Sequence, residues 1–334
     1  MELMPLPLVI AANTFVGKPW ASGAGTLLAA FTVALVALFG LADLAGLQLL
    51  SQALPAQRRF AVDAGVIVTA AAAAGFLFQP IRRDMAAFLP IHPENPVHTL
   101  ALVLSTLLLG TQVTLIAFTD VLGSNLAQPP LNVVDVLEGE APFLIIAAAG
   151  VGIFMRRNAR QAAERLGLVV PAWRHVILAL AVAGLFLGLS QASDILSHSL
   201  TPDIARRVDS TTQHVFGQLG GPLGIAALAL LPGICEEVLF RGALQPRIGV
   251  LATALLFTSI HTEYGLSIDT LAVFVLALGL GFVRKYTNTT TSCACHVSYN
   301  LLVGIGIAGA ALNVALVLEV VLIAVSAYAI WRHR

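Results

Sequence analysis

The sequence predicts an all-α, polytopic integral membrane protein, a bundle of about eight to ten transmembrane helices. Three observations carry this expectation. Of the 334 residues, 58% are hydrophobic and only 11% are charged, against about 25% charged in an ordinary soluble domain. Mean hydropathy is +0.89. Apolar runs approaching the ~20 residues needed to cross a hydrocarbon core recur along the whole chain.

The candidate spans lie near 24–50, 60–79, 98–119, 142–155, 176–196, 221–240, 247–262, 270–283, 291–309 and 313–331. The fourth and eighth are short, so their ends must extend into flanking residues. The apolar block from Thr291 to Ile330 is divided near Asn313. The N-terminal stretch MELMPLPLVIAANTFVGKPW has no basic region ahead of its apolar part, so it reads as an interfacial segment and a poor signal peptide.

Orientation follows from the arginines. The connection RRNARQAAERLG, beginning at Arg156, is basic and amphipathic and is expected in the cytoplasm. The preceding connection, 120–141, carries Asp120, Asp135, Glu138 and Glu140 with no basic residue, which suits the outside. Alternation then places Arg82, Arg83, Arg247, Arg284, Lys285, Arg332 and Arg334 inside, and leaves Arg58, Arg59, Arg206 and Arg207 outside. The basic connection is also the expected boundary: residues 1–167 form N-terminal transmembrane helices of unassigned role, and residues 168–334 hold every chemically suggestive group.

Composition narrows the function. Net charge is zero, so there is no electrostatic case for nucleic acid. The cysteines Cys235, Cys293 and Cys295 have no disulfide spacing. Those just before His296 read as small buried helix residues in preference to metal ligands.

Charges inside apolar spans are expensive and are functional-site hypotheses by default. In LLPGICEEVLFRGALQ, Glu237 and Arg241 are four apart, share a helix face and reduce the cost of each other's charge. Glu236 is turned about 100° away and is free to face a cavity. Pro232 and Gly233 are expected to loosen the helix just upstream. His261 follows Phe257 by four in LLFTSIHTEYG, and Asn300 follows His296 by four in CACHVSYN.

A carboxylate, an imidazole, and an imidazole with an amide on three neighbouring spans suit hydrolysis by an activated water. Glu236 would take a proton from water, His261 would help hold that water, and His296 with Asn300 would stabilise an oxyanion. Each group also has a plainer reading: a lone membrane histidine often only bonds a neighbouring helix, and a Glu–Arg pair also serves as a fold-locking bridge. Among the remaining intramembrane acids, Asp194 is expected near a membrane end, while Asp43 and Glu319 are costly if central. Glu263 and Tyr264 sit at a helix end.

The stretches EEVLFRG, FTSIH and HVSYN, in that order, resemble the motifs of the CAAX-protease and bacteriocin-processing family, which includes the Rce1-type prenyl endopeptidases. Those motifs are two glutamates with an arginine four after the second, Phe-x-x-x-His, and His-x-x-x-Asn. The resemblance is strong over roughly 230–302, with a weaker lead-in at ERLGLVVPAWRHV. It implies an intramembrane endopeptidase acting on membrane-associated protein or peptide substrates in the bilayer, in a bacterium in the cell membrane. By motif position, Glu236, His261, His296 and Asn300 would be catalytic, and Glu237, Arg241 and Phe257 supporting.

The expectation is no cofactor, although Glu236 and the two histidines are also the residue types that hold zinc, and family members have been described both as metalloproteases and as metal-free glutamate enzymes. A proton- or ion-coupled transporter, and a non-catalytic or immunity-type membrane protein of the same fold, remain the alternatives.

Overall fold

A backbone in hydrocarbon must satisfy its hydrogen bonds within its own segment, so the apolar runs close into helices. The computed structural model describes residues 3–47, 54–306 and 309–332, with no β-strand among them. The first half contains Leu6–Phe15 (α1), Ala21–Ala42 (α2), Ala56–Gly75 (α3), Gln79–Met85 (α4), Pro96–Phe118 (α5), Val121–Leu126 (α6), Val133–Gly150 (α7) and Ala159–Leu166 (α8). The second half contains Trp173–Leu200 (α9), Pro202–Phe216 (α10), Pro222–Glu237 (α11), Gln245–Ile260 (α12), Ile268–Tyr286 (α13), Thr289–Ile305 (α14) and Gly309–Arg332 (α15).

The described part of each expected span falls on one of these helices; residues 48–53, at and beyond the end of the first, and 307–308, near the end of the ninth, lie outside the described residues. By length and apolarity, Ala21–Leu47, Pro96–Phe118, Trp173–Leu200 and Pro222–Ile260 qualify to cross a membrane, with a fifth span if α3 and α4, bent by 80°, act together. The protein is an integral, multi-pass membrane protein. Helices α12 and α14 are only 16 and 17 residues long, short of the ~20 a span requires. They are also the helices that end in, or carry, the polar motifs.

Local chemistry sets the helix boundaries. Asn132 and Asp135 form a reciprocal capping box, which satisfies the first free N–H groups of a helix. α7 therefore begins at Val133, and the acidic stretch 120–141, expected as one connection, holds the short helix α6, a loop and the first turns of α7. The loosening expected at Pro232 also lies elsewhere. Pro232 sits within α11, whereas Val238–Leu244 widens into a π-type stretch and Gly249, at φ 81°, breaks the start of α12. The 80° corner between α3 and α4 is closed by buried Arg82, which donates to the carbonyls of Phe76, Leu77 and Pro93.

α5 is about 34 Å long at 1.5 Å per residue, and the groups at its two ends differ. At its N-terminal end, Arg247 donates to the Pro90 carbonyl at 2.9 Å. At its C-terminal end, Asp120 accepts from the Gly123 amide and pairs with Arg207. These two partners, the amide first, hold the Asp120 carboxyl below the usual range. Beyond it, exposed His198 lies between Asp194 and Asp209 at 3.5 and 3.2 Å. Asp43 is buried in the wide turn that follows α2; the side chain of Glu319 is not among those described.

Apolar clusters join the two halves. Ile91 and Leu102 pack with Phe240, Leu256 and Phe257, and Ala147, Val151, Ala162 and Leu166 pack with Val238 and Cys293. The closest helix approach relevant to the site is that of α11 to α14, where a Cβ on Gly233 would lie 2.6 Å from Val297 Cγ2 and 2.9 Å from its backbone nitrogen. Overpacking of this kind costs about 1–3 kcal/mol. Gly233→Val is expected to lower the thermal unfolding midpoint in detergent, whereas Gly23→Val, which meets open space, is expected to leave it near that of the parent.

Candidate active site

The second motif glutamate is the most constrained residue of the site. Glu237 and Arg241 are both fully buried and 3.6 Å apart. Glu237 also receives the Ser292 hydroxyl, and its Oε1 lies 3.2 Å from His296 Nδ1. Arg241 Nη2 donates to the Ala277 carbonyl at 3.2 Å, and its guanidinium carbon stands 4.2 Å from the centre of the Phe257 ring. The pair thus ties α11, the wide stretch 238–244, α12, α13 and α14 together through buried polar contacts.

Phe257 links the two histidines. Its ring centre is 4.6 Å from that of His261 and 5.9 Å from that of His296. His261 Nδ1 lies 2.8 Å from the Phe257 carbonyl. A carbonyl only accepts, so this contact puts the proton on Nδ1 and leaves Nε2 of the neutral ring with its lone pair. The contact of His296 with the ionised Glu237 carboxylate imposes the same tautomer.

Glu236, the adjacent residue, has different surroundings. It is 5% exposed, and its Oε2 takes no hydrogen bond among the described residues. It lines a cavity of about 990 Å³ that His261 also lines. Leu100, Leu104, Leu107 and Leu108 of α5 and Phe143 and Ile146 of α7 supply an apolar wall, while Glu140 and Glu263 add carboxylates. The expected division of the two glutamates, one held by its neighbours and one facing a cavity, is therefore seen in the geometry.

Glu236, His261, Phe257, Glu237, Arg241 and His296 are gathered by the fold. His296 is buried against Glu237 and does not line the cavity. Asn300 is one turn further along α14, half-buried, and donates to the Leu228 carbonyl at 3.2 Å. Sequence reasoning missed Ser292, one turn before His296 and on its face, and it missed Glu140. Glu140 was read as part of an outside loop, and the capping box at Asn132 was the signal that α7 starts early enough to turn it inward.

The histidine orientations are those metal-ligating histidines show, with Nδ1 bonded to an acceptor and Nε2 left open. The donor atoms are not gathered, however. Among the described residues, the set of three metal-capable side chains with all donor atoms within 4.8 Å is Asp194, His198 and Asp209, exposed and on α9 and α10. Glu236, His261 and His296 are not among the residues whose donor atoms come that close.

Residues 218–302 match the family described as Type II CAAX prenyl endopeptidase, Rce1-like. That segment runs from just before α11 to most of the way along α14 and contains all three motifs. Neither the curated proteins nor the solved structures compared with the chain gave a match.

Removing one partner of a buried ion pair costs about 3–5 kcal/mol, while replacing both by uncharged groups is often close to neutral. Arg241→Met alone is thus expected to destabilise the protein severely, and Glu237→Gln with Arg241→Met to recover part of that loss. Thermal unfolding of the four members of this cycle in one detergent checks it; additive losses would show that the pair is not coupled.

Proposed function

We propose that the protein is an intramembrane endopeptidase that hydrolyses a peptide bond of a membrane-associated protein or peptide with a water activated by Glu236. The observation that carries this reading is the asymmetry of the two glutamates. Glu237 is spent on Arg241, Ser292 and His296, whereas the Glu236 carboxylate faces the cavity with one oxygen unpartnered by the described residues. The match of residues 218–302 to a peptidase family supports it.

In this mechanism a water sits between Glu236 and His261, donating one hydrogen to the carboxylate and one to the Nε2 lone pair. Glu236 takes the proton as the water oxygen attacks the scissile carbonyl carbon, and the carbonyl electron pair moves to oxygen. The C–N bond then breaks, and Glu236 returns its proton to the leaving amine, which restores the carboxylate. His296 and Asn300 are assigned to the oxyanion. Glu237 keeps the His296 ring fixed, and a protonated ring would present Nε2–H while Nδ1–H remains on Glu237. For Asn300 the assignment requires its amide to exchange the Leu228 carbonyl for the substrate oxygen. The apolar wall suits a segment next to a membrane anchor. Prenylated chains ending in Cys-a-a-X, peptide precursors and membrane-anchored regulators all meet that description.

General acid–base groups contribute about 10²- to 10⁴-fold to rate. Glu236→Gln is expected to cut cleavage of a mixed panel of membrane-anchored peptides by at least that range while keeping the parent's unfolding midpoint. The assay uses metal-stripped protein reconstituted in bilayers. Full activity of Glu236→Gln would sink the assignment. Activity that appears only on adding zinc would make His261 and His296 ligands instead of water-handling groups, and proton flux without cleavage would favour the transporter.

A further inference from the structure

The cavity has a second pole that the proposed chemistry does not use. Arg156, Arg157, Arg165 and Arg247 line it at the end opposite Asp120. They come from three separate stretches of chain: the loop after α7, α8 and the start of α12. Among the described residues none of the four stands in an ion pair.

Each guanidinium is instead fixed by a neutral acceptor. Arg156 Nε donates to Asn13 Oδ1 at 2.7 Å, Arg157 to the Val151 carbonyl, Arg165 to the Gly242 carbonyl at 3.3 Å, and Arg247 to the Pro90 carbonyl. One hydrogen bond uses one of five N–H donors, so most donors and all four charges are left over. Among the described residues, the Nε of Arg247 is buried without a partner. Burial, and then the neighbouring arginines Arg247, Arg157, Arg284 and Arg156, bring Arg165 down to about 10.

The surroundings point to the source of an anion that would meet these charges. Phe154 precedes Arg156 by two residues and Phe88 precedes Pro90, the partner of Arg247, by two; they are 84% and 85% exposed, and Val170 beyond α8 is 95% exposed. Phe154 is held at φ 58°, which is unusual for a bulky residue, by a tight loop in which its amide donates to the Arg157 carbonyl at 2.8 Å. Exposed aromatics beside basic residues are the pattern of a bilayer interface, and basic pockets between membrane helices take anionic lipid headgroups. Several guanidinium forks arriving from different directions match a tetrahedral phosphate better than a planar carboxylate.

We propose that Arg156, Arg157, Arg165 and Arg247 form a binding site for the phosphate of an anionic phospholipid, seated at the mouth of the cavity with its acyl chains against the exposed Phe88 and Phe154. The site is independent of the peptidase reading, since neither its residues nor its ligand takes part in the hydrolysis.

Native mass spectrometry of the purified full chain tests it, titrated in neutral detergent with phosphatidylglycerol or phosphatidylcholine. The parent is expected to hold one phosphatidylglycerol at least about tenfold more tightly than phosphatidylcholine. Arg165→Gln with Arg247→Gln should lose that preference, and Arg160→Gln, outside the cluster and paired with Glu164, should keep it. If the double variant does not fold, Arg156→Gln, on an exposed guanidinium, should weaken the preference severalfold. Equal retention of both lipids by the parent overturns the proposal. So does displacement of the lipid by millimolar inorganic phosphate, which would assign the site to a free anion. Displacement by a short peptide with a free C-terminal carboxylate, but not by its amide, would assign it to substrate and overturn it as well.

Discussion

The buried pair of Glu237 and Arg241 is the constraint on which the site depends. Two full charges without solvent exposure are tolerable only because each meets the other and further partners meet both: Ser292 and His296 on the acid, the Ala277 carbonyl and the Phe257 face on the base. Glu237 lies on α11 and these partners on α12, α13 and α14. Satisfying one ion pair in hydrocarbon therefore fixes how α11 to α14 sit against one another. The adjacent glutamate inherits its position from that arrangement: with Glu237 locked inward, Glu236 is directed to the cavity.

The same pair orders the histidines. Arg241 lies on Phe257, and Phe257 contacts both imidazoles. Each ring spends Nδ1 on an acceptor, so both leave Nε2 as the nitrogen open to other partners. This is pre-organisation by hydrogen-bond polarity. It holds the rings at fixed azimuth, with the Phe257 ring in contact with both.

Much of this was legible in the chain. Spacing of four residues identified the Glu237–Arg241 pair and separated Glu236 from it, because helical geometry turns adjacent residues about 100° apart. Hydropathy located the helices, since each apolar run must close its own hydrogen bonds. What escaped was set by contacts between segments distant in sequence. The inward turn of Glu140 depended on where α7 begins, which a two-residue cap decided. The break in the long helix fell at Gly249 and in the wide stretch 238–244, where Arg241 reaches Ala277, and not at the proline whose local chemistry invited it. Ser292 carried no signal of its own, because a hydroxyl in an apolar helix usually bonds its own backbone. That Asn300 would be engaged with the Leu228 carbonyl likewise depended on the approach of α11, invisible from α14 alone.

The wall opposite Glu236 comes from α5 and α7, both outside the matched segment. The recognisable motifs therefore enclose only part of the chamber, and the remainder belongs to a stretch with no chemical signature. A sequence change in α5 or α7 reshapes what fits beside Glu236 without touching any motif residue. Under the proposed function, two chains with identical motifs and different first halves would share a reaction and differ in diet, and relatedness judged on residues 218–302 would group them by chemistry while remaining blind to selectivity.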